Sequence, residues 1–346
     1  MKKKLYLLLR IIFTNIFIVF IFVTLIELFF GYWFDKDNFG PYMREHRMKK
    51  EKIIWESEDE IIQYDYKKNY YGFRGDDIDP SKIKAIMLGG SAIDEKFKPH
   101  QYTITGFLNS NLKENNSPIK IINAGVWGQS TIGMVSGFEN WLFKIKKLRP
   151  EYILIYTGFS DRARVTGDND EKYLYDGFLL NPDKFEAFKD NIKSRSFIYD
   201  QASIFRYKIL SNRKNFVKYD GKLKKNYKNN FYFTTYNQAV NLIKRDNKRT
   251  DNYLKRIDKI YSYSKILGAK PIFITNLTAL GYVEDVFLLN TALINHCERK
   301  KYLCIDLAKK LDGNVNYWYD GTHTTKKGSK AIADLITPEL LTYFNN

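Results

Sequence analysis

The chain has 346 residues, 44% of them hydrophobic and 27% charged, enough apolar material for a sizeable core and too much for wholesale disorder. Two cysteines and four histidines exclude a disulfide scaffold and a metal site built from clustered Cys or His. Lys and Arg outnumber Asp and Glu by 56 to 39, a formal +17 that suits polyanions without choosing among nucleic acid, anionic lipid and acidic glycan.

Lys2, Lys3, Lys4 and Arg10 precede an apolar run, Ile11–Phe30, whose polar exceptions are Thr14, Asn15, Thr24 and Glu27. As a helix rising ~1.5 Å per residue, the run reaches ~30 Å, the thickness of a bilayer's hydrocarbon core. Glu27 is near enough to one end to reach headgroups, and Gly31-Tyr32-Trp33-Phe34 supplies an interfacial aromatic belt. No small-residue cleavage site follows. Residues 1–34 therefore read as a cytoplasmic tail and uncleaved membrane anchor, with the body extracytoplasmic (periplasmic or at the cell surface). That location leaves no nucleic acid as partner. Cys297 and Cys304 would either pair there or remain two separate buried thiols.

Residues 35–81 read as an irregular, aromatic connector packing on the body. Strands are predicted at Lys84–Leu88, Ile119–Asn123, Tyr152–Thr157, Pro271–Thr275 and Tyr302–Asp306. Helices are predicted at Tyr102–Leu112, Thr131–Leu148, Asn237–Leu267, Val283–Lys300 and Lys326–Phe344. The alternation predicts a doubly wound α/β domain over 82–346, interrupted by an insertion at 162–236. Within the insertion, Arg206–Lys228 carries nine basic residues against one acidic residue, Asp220, with Tyr207, Phe216, Tyr219 and Tyr227 interleaved. Such a stretch suits an anionic glycan or lipid headgroups, or is a solvated loop whose aromatics cover the body; it could also form a lid.

In open α/β sheets, ligands bind beyond the carboxyl ends of the strands. Four segments lie there: Gly89-Gly90-Ser91-Ala92, Asn123-Ala124-Gly125-Val126-Trp127-Gly128-Gln129-Ser130, Gly158-Phe159-Ser160-Asp161 and Asp320-Gly321-Thr322-His323. A carboxylate three residues before a histidine can hold one ring N–H, freeing the other nitrogen to take a proton from a serine hydroxyl. Other roles are open to each residue. Ser91 could be a helix N-cap, His323 could cap or pack at the terminal helix, and Asp161 could be a cap or ion-pair partner. Asn123 reads as satisfying turn backbone. Ser130 misses the Gly-x-Ser-x-Gly elbow by one residue. His46 and His100 have no such acidic partner, and His296 beside Cys297 reads as helix packing.

The four segments resemble, in order, the blocks of the SGNH (GDSL-type) hydrolase superfamily: strand-end Gly-x-Ser, a block-two Gly, Gly-x-Asn-Asp, and Asp-x-x-His. Tyr71-Gly72-Phe73-Arg74-Gly75 is similar to a segment upstream of the first block in membrane-anchored members. The resemblance implies a five-stranded, flavodoxin-like parallel sheet, with Ser91 as nucleophile, His323 as base and then acid, and Asp320 as the orienting carboxylate. It also implies oxyanion donors at the Ser91 and Gly128 backbone N–H groups and at position 160, where Ser160 replaces the family's Asn. Gly90 likewise stands where the plain motif has Asp. No metal or organic cofactor is implied. The expected activity is serine esterase or O-acyltransferase chemistry on O-acyl groups, acetyl foremost, of a cell-surface glycan, with a membrane protein as possible acyl donor. The rival expectations are a catalytically silent glycan-binding scaffold and a lipid esterase or thioesterase at the bilayer surface.

Overall fold

A computed structural model of the chain describes residues 2–34, 50–56, 60–162, 173–175, 178–179, 184–199, 201–202, 205, 217–220, 247–279, 284–311 and 315–345. In chain order, α1 (Lys2–Phe30) is followed by β1 (Lys50–Glu56) and β2 (Ile61–Lys67). Next come β3 (Ala85–Gly89), α2 (Ser91–Asp94), α3 (Ile104–Glu114), β4 (Ile121–Gly125), α4 (Thr131–Asn140), β5 (Tyr152–Tyr156) and α5 (Phe159–Arg162). The predicted insertion contributes β6 (Tyr173–Tyr175), β7 (Phe178–Leu179), α6 (Lys184–Arg195) and β8 (Val217–Asp220). The series closes with α7 (Asn247–Ile266), β9 (Lys270–Ile274), α8 (Glu284–Lys300), β10 (Leu303–Ile305), α9 (Leu307–Lys310) and α10 (Lys326–Asn345). By contacts the chain divides into two units, Met1–Glu45 with Pro182–Asn215, and His46–Asn181 with Phe216–Asn346.

In the first unit, an 18-residue window within Lys3–Phe30 of α1 has mean hydropathy 2.5 and none of it is buried. It is long and apolar enough to cross a membrane.

In the second unit, five parallel strands run in the order β10-β9-β5-β3-β4. Numbered along the chain, that is 2-1-3-4-5 from the β4 edge, the flavodoxin-like order. β3, β4 and β5 are buried at every position, as continuous apolar runs in a sheet covered on both faces should be. One face packs Met87, Leu154 and Ile272 against Leu108 and Leu112 of α3 and Ile332, Ile336 and Leu340 of α10. The strand order reverses between β3 and β5, so the segments after these two strands flank the crevice that such sheets use for ligands.

Two expectations need correction. The predicted helix Thr131–Leu148 ends at Asn140 and is followed by a 3₁₀ turn, Leu142–Lys144. At Trp141 the backbone leaves helical geometry, and its indole N–H donates to the Tyr71 carbonyl at 2.6 Å. Burial of Trp141, Leu142, Ile145 and Leu148 along one path outweighs the helical spacing. Nor are residues 35–81 irregular throughout: β1 and β2 pair antiparallel, and β8 joins β1 in parallel to make a three-stranded sheet. Ile53, Trp55 and Tyr66 of these strands are buried.

Candidate active site

Gly89 and Gly90 end β3 and turn the chain into α2. A side chain at Gly90 would bring its Cβ to 3.0 Å from both the Gln129 carbonyl and the Ser160 hydroxyl, so a residue without one suits this turn. Ser91 opens α2. It is not the N-cap, since Gly90 occupies that position and no side chain caps the turn. Its hydroxyl is instead 2.8 Å from His323 Nε2. On the other side of the ring, His323 Nδ1 is 2.6 Å from Asp320 Oδ2. The second carboxylate oxygen accepts from the backbone N–H groups of Thr322 (2.8 Å) and His323 (2.7 Å). Burial pushes the Asp320 carboxyl up, but the His323 contact and these two N–H groups outweigh it and hold the group below the usual carboxylate range. Asp320 is thereby kept ionised and aimed at Nδ1, leaving Nε2 the nitrogen that faces Ser91.

Two aromatic rings stack on the imidazole. Trp127 lies at 5.2 Å between centroids and Tyr319 at 5.6 Å, both close to parallel with it. Aromatic faces within ~6 Å favour a cation, so the pair fixes the ring's plane and suits the imidazolium formed when Nε2 is protonated. Neither residue was singled out as a site residue from sequence. Trp127 stands two residues after β4 and Tyr319 immediately before Asp320, and that adjacency was the available signal.

The expected oxyanion donors surround the same turn. Gly128 has a positive φ of 70°, a conformation that glycine adopts without strain. The backbone N–H groups of Ser91 and Gly128 have no acceptor among the described residues. Ser160, in α5, lines a small pocket of about 20 Å³ with Gly90, Ser91, Gln129, Asn276 and Thr322, while Gly128 is not among its lining residues. Asp161 also lines this pocket, but its carboxylate is engaged elsewhere: it accepts from the Thr131 N–H (3.0 Å) and hydroxyl (2.5 Å) at the start of α4. Burial raises its carboxyl above the usual range, against the pull of Arg256, whose guanidinium is 3.8 Å away. Asp161 thus fastens the segment after β5 to the one after β4, the two that carry Ser160 and Gly128.

A buried polar network braces the opposite side of the turn. Arg74 donates to the carbonyls of Asp94, Glu95 and Lys98, immediately downstream of Ser91. Lys98 and Glu95, each 1% exposed, pair at 2.5 Å. Lys98 also donates to the Thr324 carbonyl (2.6 Å), and Glu95 accepts from the Thr324 and Ser329 hydroxyls (2.8 and 2.7 Å). Since Thr324 follows His323, this network ties the loop bearing the histidine to the helix bearing the serine.

Asn123 is structural: its amide donates to the Ile93 carbonyl at 2.6 Å and accepts from the Gly125 N–H at 3.0 Å. Ser130 is buried, with no hydrogen-bond partner for its hydroxyl among the described residues. His296 contacts Asp258 at 2.7 Å, and Cys297 and Cys304 are joined. Among the described residues no group of three or more His, Cys, Asp or Glu is placed to hold a metal ion. His46 and the basic insertion Arg206–Lys228, apart from 217–220, lie outside the described residues.

No protein-family model matches the chain, and no curated protein does. Solved structures similar to it include a GDSL-like lipase from Bacteroides thetaiotaomicron, at 14% identity over 77% of this chain and 91% of that one, with TM-score 0.42. A catalytic mutant of an acetylxylan esterase from Geobacillus stearothermophilus matches at 11% identity over 76% and 94%, TM-score 0.41. An α/β-hydrolase enzyme from the metagenome of Lake Arreo, Spain, matches at 11% identity over 76% and 95%, TM-score 0.42.

Proposed function

We propose that the protein is a membrane-anchored serine esterase or O-acyltransferase of the SGNH type that handles short O-acyl groups, acetyl foremost, on an extracytoplasmic glycan. The observation that carries the reading is the continuous relay from Ser91 Oγ through His323 to Asp320, at 2.8 and 2.6 Å. In this reading Ser91 Oγ attacks the ester carbonyl while His323 Nε2 takes its proton. The oxyanion is met by the Ser91 and Gly128 N–H groups and the Ser160 hydroxyl. Collapse of the intermediate breaks the ester bond, and the leaving alcohol takes the proton from His323. Water or a sugar hydroxyl then attacks the acyl-Ser91 ester by the same steps in reverse, giving hydrolysis or transfer.

Among the described residues the pocket at Ser91 is small, with Met134, Tyr156 and Phe159 lining it beside Ser160, Asn276 and Thr322, which favours a short acyl group over a long lipid chain. The apolar α1 and the Cys297–Cys304 disulfide support an anchored body in an oxidising compartment. Treating the full-length protein in detergent with a fluorophosphonate probe, followed by peptide mass spectrometry, tests the reading. The expected adduct lies on Ser91 and is absent in His323→Ala. Folded protein that takes no adduct would instead be the silent glycan-binding scaffold, and an adduct on Ser130 would place the nucleophile in the wrong turn.

A further inference from the structure

We propose that α6 lies in the plane of the bilayer, on the headgroup–acyl boundary of an anionic leaflet, clamped to the end of α1 by Glu27. The inference rests on reading α1 as a spanning helix. Phe185, Phe188 and Ile192 recur three and four positions apart, so they share one stripe of α6, and they are 71%, 63% and 38% exposed. On a helix of 3.6 residues per turn, Lys184 and Arg195 border this stripe on one side and Lys189 and Lys193 on the other. Lys189 also pairs with Glu186 at 2.7 Å, and the four cations exceed this acidic neighbour in charge. Ala187 lies on the far side. A narrow aromatic stripe flanked by long cations is the pattern of a helix lying in an interface: the rings enter the acyl boundary while Lys and Arg stems cover apolar surface and raise their charges to phosphates.

The attachment to α1 sets the depth. Glu27, expected from sequence to reach headgroups, has a carboxylate engaged by four donors of the protein itself. Oε1 accepts from the Ser196 hydroxyl (2.6 Å) and the Ile198 N–H (3.0 Å), and Oε2 from the Phe197 N–H (3.1 Å) and the Trp33 indole (2.8 Å). The Tyr32 N–H donates to the Arg195 carbonyl at 2.8 Å, and Phe30 packs on Phe197 at 5.4 Å between centroids. The carboxyl end of α6 is therefore fixed at the last turn of α1, where a spanning helix leaves the hydrocarbon. Exposed Ile198, Tyr199 and Phe205 continue the apolar surface beyond α6. An apolar stripe held at that depth, with its borders positively charged, fits an anionic leaflet continuous with the one α1 enters.

Spin labels on single introduced cysteines test this in the full-length protein, reconstituted in vesicles of phosphatidylcholine and phosphatidylglycerol. The labels go at Phe188→Cys, Ala187→Cys and Phe20→Cys, and their collision rates with oxygen, which partitions into lipid, and with a water-soluble nickel chelate are compared. The expected oxygen-to-nickel ratio is highest at 20, and at 188 it is several-fold above that at 187. Replacing phosphatidylglycerol by phosphatidylcholine, or Lys184, Lys189, Lys193 and Arg195 by Gln, should lower the ratio at 188 and leave that at 20 unchanged. Equal ratios at 187 and 188, with 20 still in lipid, would overturn the in-plane helix and leave the anchor intact. A nickel-accessible label at 20 would overturn the spanning helix itself and this inference with it. Immersion at 188 indifferent to lipid charge would overturn the anionic leaflet as the surface.

Discussion

Lys98→Met is the most searching perturbation of the framework around Ser91. Methionine preserves the length of the stem and removes the ammonium, leaving Glu95 with only neutral donors: the Thr324 and Ser329 hydroxyls and the Ile104 N–H at 2.5 Å. Both partners are 1% exposed, so water cannot replace the lost charge. Breaking a buried pair from one side costs about 3–5 kcal/mol, because the surviving charge is stranded. At ~2–4 °C per kcal/mol for a domain of this size, the unfolding midpoint should fall by ~6–20 °C, followed by circular dichroism in detergent. Because the Lys98–Thr324 bond also restrains the loop after His323, fluorophosphonate labelling of Ser91 should slow even where the variant remains folded. The double variant Lys98→Met/Glu95→Gln should lose less than the two single losses added, by ~0.5–3 kcal/mol of coupling. Strict additivity, or a single variant melting with the parent, would refute the account of this pair as a mutually dependent brace.

Three further outcomes follow from the site and its surroundings. Asp320→Asn should preserve the fold and lower kcat by about 10⁴-fold, since the amide no longer holds the imidazole tautomer with Nε2 free; near-parental kcat would exclude Asp320 from the relay. Ser160→Ala should cost ~10²–10³ in kcat if the hydroxyl is an oxyanion donor, whereas Ser160→Asn should equal or exceed the parent, and full turnover in the alanine variant would dismiss the hydroxyl. Burial pushes the Asp94 carboxyl up, but Lys68 at 2.8 Å and Arg74 hold it below its usual range. Its stabilisation is therefore complete above the unfolded-state value of ~3.9 and is lost as pH falls through the lower folded value. Asp94→Asn should flatten the acid limb of stability in urea titrations at successive pH values, and an acid limb of unchanged slope would contradict this.

The five strands of the parallel sheet were legible because each is a short apolar run closed by turn residues, and every one was placed within two residues of its observed ends. The Ser91, Asp320 and His323 positions were legible because each follows a strand or precedes the last helix, where sequence order alone brings segments to one crevice. The three-stranded sheet was missed for a physical reason: β1 pairs on its second edge with β8, which is remote in sequence, and its buried Trp55 packs on Tyr102, so no local pattern in 50–56 announces either partner. The alternating burial of β2 at Ile62, Tyr64 and Tyr66 was there to be read. Trp127 and Tyr319 were hidden for a different cause, since stacking on His323 depends on side-chain direction rather than on spacing. Glu27 was read as a polar exception near enough to the end of the span to reach headgroups, its partners Ser196, Phe197 and Ile198 being beyond the reach of any local pattern.

The parallel pairing of β1 with β8 bears on how the chain is made. Ile53 aligns with Val217, so every strand up to β7 leaves the ribosome before β8 does. Until Val217–Asp220 emerges, β1 can pair only with β2, and its second row of N–H and C=O groups stays open. An edge left waiting in this way is a template for pairing with other chains, and the interval lengthens with every residue that must be synthesised first. Slowing translation between Glu56 and Val217 should therefore increase aggregation of the nascent protein, while slowing it after Asp220 should not.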